Sequence, residues 1–167
     1  MRFKGKVFKF GDNINTDFII SGRYKFSITN MKVLSQHLFE DIRPNFYQEI
    51  IPHKSIIVGG VNFGCGSSRE QAPWVIKKAG IRCVIAKNFA RIFYRNAFNI
   101  GLALVEADTD GLNENDEIIV DVEKGLIKNL TTSSIIEFRV WDNFRKELIK
   151  CGGIVEYLRK YKSFRLE

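Results

Sequence analysis

"SIIVGGVNFGCGSSREQAPWVIKKAGIRCVIA", residues 55–86, decides the fold. It opens on a continuous apolar run (55–61) suited to a strand buried on both faces, and it ends on a second run of the same kind, "RCVIA" at 82–86. Between the two, a helical segment reads from Arg69 to Lys78 and closes at Gly80. A second helical segment, Asn88 to Asn99, closes before Gly101 and leads to a third apolar run, "LALVE" at 102–106. Strand, helix, strand, helix, strand implies parallel pairing, because parallel neighbours need a crossover that a helix supplies.

Outward from this core, residues 2–10 read as a strand, followed by the turn-rich "GDNINTD" and a long loop. From Asn30, a good N-cap, Met31, Leu34, Leu38 and Phe39 recur at helical spacing, and Pro44 bounds the segment. Downstream, "EIIVDV", "LIKNL" and "IIEFRV" read as shorter strands with an "EKG" hairpin turn, and two helical segments follow from about Asp142. There is no repeat, linker or low-complexity tract. A chain of 167 residues, 45% hydrophobic, is then one α/β domain over 1–167, with a parallel core sheet and an additional antiparallel layer.

Composition narrows the function. No run approaches the ~20 apolar residues that span a bilayer, and "MRFKGKVFKF" lacks the apolar stretch of a signal peptide, so no membrane association and a cytoplasmic location are expected. Cys65, Cys83 and Cys151 stand far apart without a C-x-x-C pair, and His37 and His53 lie near neither a cysteine nor an acidic pair at ligand spacing. No metal site is expected in this chain, and the thiols are expected to be reduced and mostly buried. The net charge of +7 would suit small anions or RNA; the basic residues are scattered, the C-terminal stretch 145–167 mixes both signs, and no RNA-recognition motif is present. No nucleic-acid partner is expected, and a free-standing anion- or RNA-binding module is the alternative of a different class.

The glycine–serine loop sits where a parallel strand feeds a helix, at the sheet edge where open α/β folds bind ligands. Gly64 and Gly66 permit positive φ and close backbone approach. Walker A, G-x-G-x-x-G and G-x-S-x-G patterns all fail here: Arg69 stands where the third glycine of the dinucleotide pattern belongs. Helix capping is the bland reading, since Ser67 with Glu70 and Ser68 with Gln71 both fit the S-x-x-E/Q box. Either cap would place Pro73 beyond the first turn, where its missing N–H is costly, so the helix is expected to start nearer Glu70 and to leave Ser67, Ser68 and Arg69 free for a ligand.

"NFGCGSSREQAP" followed by "AGIRCVIAKNFARIFYRNAFNIGL", with "GDNINTDFIISGRY" upstream, resembles the small-subunit or swivel-domain part of the aconitase superfamily, the 3-isopropylmalate dehydratase and homoaconitase small subunits in particular. The resemblance spans nearly the whole chain. It implies a swivelling β/β/α three-layer domain and a hydro-lyase that moves a hydroxyl between adjacent carbons of a malate-like acid through an alkene. It also implies a heterodimer or heterotetramer in which a large subunit carries a [4Fe-4S] cluster, this chain binding no cofactor of its own. Matched residue by residue, the family motif puts the base on Ser67 and substrate-carboxylate binding on Ser68 and Arg69, with Arg23 as a further substrate arginine. The segment after it, Tyr24, Lys25, Phe26, Ser27, Ile28 and Thr29, falls on the loop that reads the varying substituent. Lys25 departs from the family's usual leucine, and Asn88 stands for its common serine. Apolar Phe26 at the deciding position favours isopropylmalate; homoaconitate, citramalate and dimethylmalate dehydratases stay as alternatives. Arg91 and Arg95 are expected to serve structure or interface, and Phe89, Phe93 and Ala97 the core.

Overall fold

The computed structural model describes residues 1–162; the last five residues of the mixed-charge C-terminal stretch lie outside the described residues. In chain order the elements are β1 (Arg2–Lys9), α1 (Thr16–Ile19), α2 (Gly22–Lys25), α3 (Met31–Leu34), α4 (Phe46–Glu49), β2 (Ser55–Val58), α5 (Gln71–Lys78), β3 (Cys83–Ala86), α6 (Arg91–Asn99) and β4 (Ala103–Glu106). Then come β5 (Glu117–Asp121), β6 (Leu126–Asn129), β7 (Ile135–Glu137), α7 (Asn143–Cys151) and α8 (Ile154–Tyr161). The fold is α/β, as expected.

One mixed sheet organises the chain, in the order β4-β3-β2-β1-β5-β6-β7. β1 to β4 pair in parallel, with Val7 beside Ile56, Ile57 beside Val84 and Val84 beside Leu104. β5, β6 and β7 continue the sheet antiparallel from the far side of β1, so the antiparallel part shares the hydrogen-bonded sheet of the parallel core. Every residue of β2 and β3 is buried, which explains why both read as unbroken apolar runs. The "EKG" turn joins β5 to β6, with Gly125 at φ +66°.

Two segments depart from their sequence pattern. Asn30 caps a helix through its Oδ1, but α3 lasts one turn, passes into a 3-10 turn over Ser35–His37, and ends before Phe39 at φ +56°. The reversal drives Phe39 against Phe10, at 4.2 Å between ring centroids, and against Phe46, so burial of a large ring overrides helical spacing. The other is residues 88–90, which stay extended instead of opening α6: Phe63 N–H donates to Asn88 O (3.1 Å) and Ala90 N–H to Phe63 O (2.9 Å). Phe89, Phe93 and Ala97 are core residues as expected. Of the cysteines only Cys83, on a central strand, is fully buried, and burial pushes its thiol pKa well up; Cys65 and Cys151, in the glycine loop and on the last turn of α7, are half-buried. No helix of the described residues is long and apolar enough to cross a membrane.

Candidate active site

β1, β2 and β3 are parallel neighbours, so their carboxyl ends share one edge of the sheet, and the segments leaving them meet there. Residues 11–16 lie alongside the glycine–serine loop like an added strand. Gly60 N–H donates to Gly11 O (3.1 Å), Asn13 N–H to Val61 O (2.8 Å), Gly64 N–H to Ile14 O (2.7 Å) and Thr16 N–H to Cys65 O (2.8 Å). Asp12 Oδ1 accepts from Val61 N–H at 2.8 Å. The "GDNINTD" stretch is therefore the loop's brace, and its side chains cap and tie where a plain connector would wander; Asn15 also caps α1 by accepting from Phe18 N–H at 2.8 Å.

The loop's path depends on Gly64. It sits at φ +78°, and a Cβ there would lie 2.2 Å from Cγ of Phe93 on α6. Beyond it α5 begins at Gln71, with Glu70 in the cap position and no side-chain cap bond. Pro73 then falls in the first turn, where an absent N–H costs nothing, and the capping-box reading gives way. Ser67 and Ser68 lie ahead of the helix with both side chains exposed. Ser67 is held by its backbone: Thr16 Oγ1, buried, donates to Ser67 O at 2.9 Å.

Arg69 turns inward, its side chain 14% exposed, to ion-pair with Asp17 on α1 and to donate to Ile20 O at 3.3 Å. Together Thr16, Ser67, Ser68, Arg69, Arg91 and Asn96 border a cavity of about 290 Å³ floored by Gly64 and Phe93. One wall is the loop and the other is the start of α6, which has no side-chain cap at Ala90. A guanidinium, two hydroxyls and the open end of a helix suit an anionic ligand.

The structure brings Ser67, Ser68 and Arg69 together; Arg23 and residues 24–29 form a separate cluster outside the cavity's lining. Arg23 pairs with Asp41 and lies 4.7 Å over the Tyr24 ring, which itself stacks on His37 at 3.9 Å. Ser27 Oγ donates to Arg23 O (3.0 Å) and Tyr24 O (3.2 Å), fixing the turn; Ile28 is half-buried and Thr29 exposed. Phe26 is 83% exposed, with Lys25 Nζ 5.4 Å from its ring. Arg69 links the two clusters, because the carbonyl it holds, Ile20, stands just before α2.

Arg91, expected to serve structure or interface, also borders this cavity, and Thr16 and Asp17 join the site without having been singled out by the sequence. The signal was available: β3 delivers α6 to the same sheet edge as β2 delivers the loop, so the first residue of α6 had to lie beside it. A larger cleft of about 650 Å³ opens on the other side of Arg91, toward Tyr94, Trp141 and Arg145, and holds none of the predicted site residues. Among the described residues no three His, Cys, Asp or Glu side chains converge as a metal site would need.

Comparison with known proteins bears on the same residues. The Aconitase C-terminal domain family model matches residues 44–109. The chain is 48% identical to 3-isopropylmalate dehydratase small subunit 1 of Thermotoga maritima, covering 96% of this chain and 97% of that one. It is 50% identical to the 3-isopropylmalate dehydratase small subunit of Thermodesulfovibrio yellowstonii, over 98% and 97%. Against the isopropylmalate/citramalate isomerase small subunit of Methanocaldococcus jannaschii the identity is 48%, over 94% of each chain. The crystal structure of a 3-isopropylmalate dehydratase from Methanocaldococcus jannaschii superimposes with a TM-score of 0.92 at 42% identity, covering 97% of this chain and 96% of that one. With near-complete coverage in both directions and a shared fold, this chain belongs to the 3-isopropylmalate dehydratase small-subunit family.

Proposed function

We propose that the chain is the small subunit of a cytoplasmic 3-isopropylmalate dehydratase, a hydro-lyase that interconverts 2- and 3-isopropylmalate by dehydration and rehydration in leucine biosynthesis. It works as a heterodimer or heterotetramer with a large subunit. The described residues offer no cradle for an iron–sulfur cluster, and we assign that group, whose iron supplies Lewis acidity toward a leaving hydroxyl, to the large subunit.

The observation that carries this reading is the release of Ser67 and Ser68 from any capping duty onto a cavity they share with Arg69. In it, Ser67 Oγ takes the proton α to a substrate carboxylate and returns it on the adjacent carbon. A serine is a weak base, and its alkoxide needs nearby positive charge and N–H donors; the guanidinium of Arg69 and the open end of α6 supply them. Ser68 and Arg69 bind the carboxylate. Arg23 is the further substrate arginine, reached by release of its exposed pair with Asp41 when the large subunit closes over the site. Phe26, exposed on its turn, then meets the substrate's substituent, and burying a carboxylate against a phenyl ring would cost several kcal/mol, which favours isopropyl.

The test is anaerobic turnover of the chain reconstituted with its large subunit, with isopropylmalate, homocitrate and citramalate offered in parallel. Preference for isopropylmalate is expected. Preference for homocitrate would overturn the reading of Phe26 and point to Lys25 as partner of an extra carboxylate. Absence of turnover on all three, with a competent large subunit, would overturn the function itself.

A further inference from the structure

We propose that Asp17 is a positioning residue for Arg69: its carboxylate holds the guanidinium from outside the Ser67 cavity, so that one edge of it stays free for a substrate carboxylate. The inference rests on the function proposed above, in which Arg69 binds that carboxylate, and it leaves Arg23 in the role given there.

The Arg69 side chain is largely withdrawn from water, and both of its polar contacts fall on one nitrogen: Nη1 ion-pairs with Asp17 Oδ1 and donates to Ile20 O at 3.3 Å. Arg69 lines the cavity, whereas neither Asp17 nor Ile20 does. The guanidinium is therefore gripped at Nη1, and among the described residues its Nε and Nη2 donate to nothing. Those two N–H groups lie side by side in the guanidinium plane and form the fork that meets a carboxylate with two parallel hydrogen bonds. Without the grip, that fork would be held only by freezing the rotamers of Arg69 as substrate arrives, at a cost of up to about 2 kcal/mol.

Asp17 serves as an anchor because the residues around it are themselves tied down. On one side Asn15 Oδ1 accepts from Phe18 N–H at 2.8 Å, and Thr16 joins the glycine–serine loop through its N–H to Cys65 O and its Oγ1 to Ser67 O. On the other side Ile19 and Ile20 are fully buried, and Ile19 O accepts from Phe39 N–H at 3.0 Å. One helical turn thus sets both groups of the reaction: Thr16 fixes the backbone at Ser67, and Asp17, the next residue, fixes the side chain of Arg69. The negative charge of Asp17 works against an anionic ligand, so the pair gives up attraction in exchange for orientation. A substitution that keeps the oxygen and drops the charge is therefore informative.

The experiment uses the assembled enzyme with Asp17→Ala, Asp17→Asn, Arg69→Gln and the double variant Asp17→Ala/Arg69→Gln. In Asp17→Ala the Ki of isopropylsuccinate, a substrate analogue without the hydroxyl, rises about tenfold to hundredfold, and KM for isopropylmalate rises with it. kcat falls as well, because the same guanidinium faces the Ser67 alkoxide. Asp17→Asn, whose amide oxygen still meets Nη1, recovers most of the affinity. Of the two monocarboxylates that each lack one carboxyl group of isopropylsuccinate, the one that Arg69→Gln leaves unweakened is left unweakened by Asp17→Ala too. With Arg69 already replaced, Asp17→Ala adds no further loss. Wild-type constants in Asp17→Ala would overturn the proposal. So would a further loss in the double variant, or equal weakening of the dicarboxylate and both monocarboxylates, the mark of a loop displaced as a whole. If Asp17→Ala fails to assemble, the same constants are read on Asp17→Ser, whose shorter side chain cannot reach Nη1. Arg69→Gln separates this reading from the one beneath it: a crippled Arg69→Gln beside a silent Asp17→Ala sinks this inference alone, whereas wild-type binding in Arg69→Gln removes its foundation.

Discussion

Gly64→Ala puts the loop's geometry to a quantitative test. At φ +78° an L-residue pays about 1–2 kcal/mol for the left-handed backbone. The new methyl would also sit 2.2 Å from Cγ and 2.6 Å from Cβ of Phe93, a buried ring already packed edge-on against Phe63 at 5.6 Å, and overpacking of this kind costs about 1–3 kcal/mol. The stiffer unfolded chain returns about 0.4–1 kcal/mol. The net loss is about 1–4.6 kcal/mol, or a fall in Tm of roughly 2–18 °C for a domain of this size. Thermal unfolding followed by circular dichroism measures it directly. Phe93→Leu in the same chain should restore part of the overlap cost and none of the backbone cost, so the double variant is more stable than the sum of the singles. An unchanged Tm in Gly64→Ala, or strict additivity with Phe93→Leu, would refute the placement of the loop on α6, and with it the placement of Ser67.

Two further outcomes follow from contacts around the same core. Thr16→Val removes the hydroxyl that holds Ser67 O while keeping the side chain's shape; about 1 kcal/mol of stability should be lost and kcat of the assembled enzyme should drop with the fold intact, whereas full kcat would show that Ser67 needs no such anchor. Acid should destabilise the chain: the Arg2 guanidinium, with the turn amides of Lys124 and Glu123, holds the Asp121 carboxyl below its ordinary range, and Arg43 does the same for Glu49. Both carboxyls bind protons more readily when unfolded, so their stabilisation is complete at neutral pH and is lost as the pH falls below about 5. A Tm series from neutral to acid should show that slope, shallower in Asp121→Asn; an identical slope in the variant would refute the assignment.

The parallel core was legible because β2 and β3 are buried along their length, and β4 in all but its last residue, Glu106, and say so in apolar runs, with Gly80 and Gly101 marking where the helices stop. The serine pair was legible for a subtler reason: Pro73 would have been costly in a helix begun at either serine, and the observed start at Gln71 places it in the first turn. What stayed hidden depends on contacts distant in sequence. Nothing local in "GDNINTD" announces that it braces residues 60–65, since its donors and acceptors are satisfied some fifty residues away, as with Thr16 Oγ1 and Ser67 O. Phe39 breaks a helical pattern because Phe10 and Phe46 hold its ring, and Arg91, read as serving structure or interface, borders the cavity because α6 lies beside the loop. Local pattern specified the elements; pairing across the sheet edge specified the site.

Ser67→Ala in the assembled enzyme is the measurement that bears most directly on the role of this chain. Turnover of isopropylmalate should fall by at least about a hundredfold, the usual contribution of a positioned general base, while isopropylsuccinate still binds with near wild-type affinity. Full turnover in that variant would contradict the assignment of the base to the glycine–serine loop.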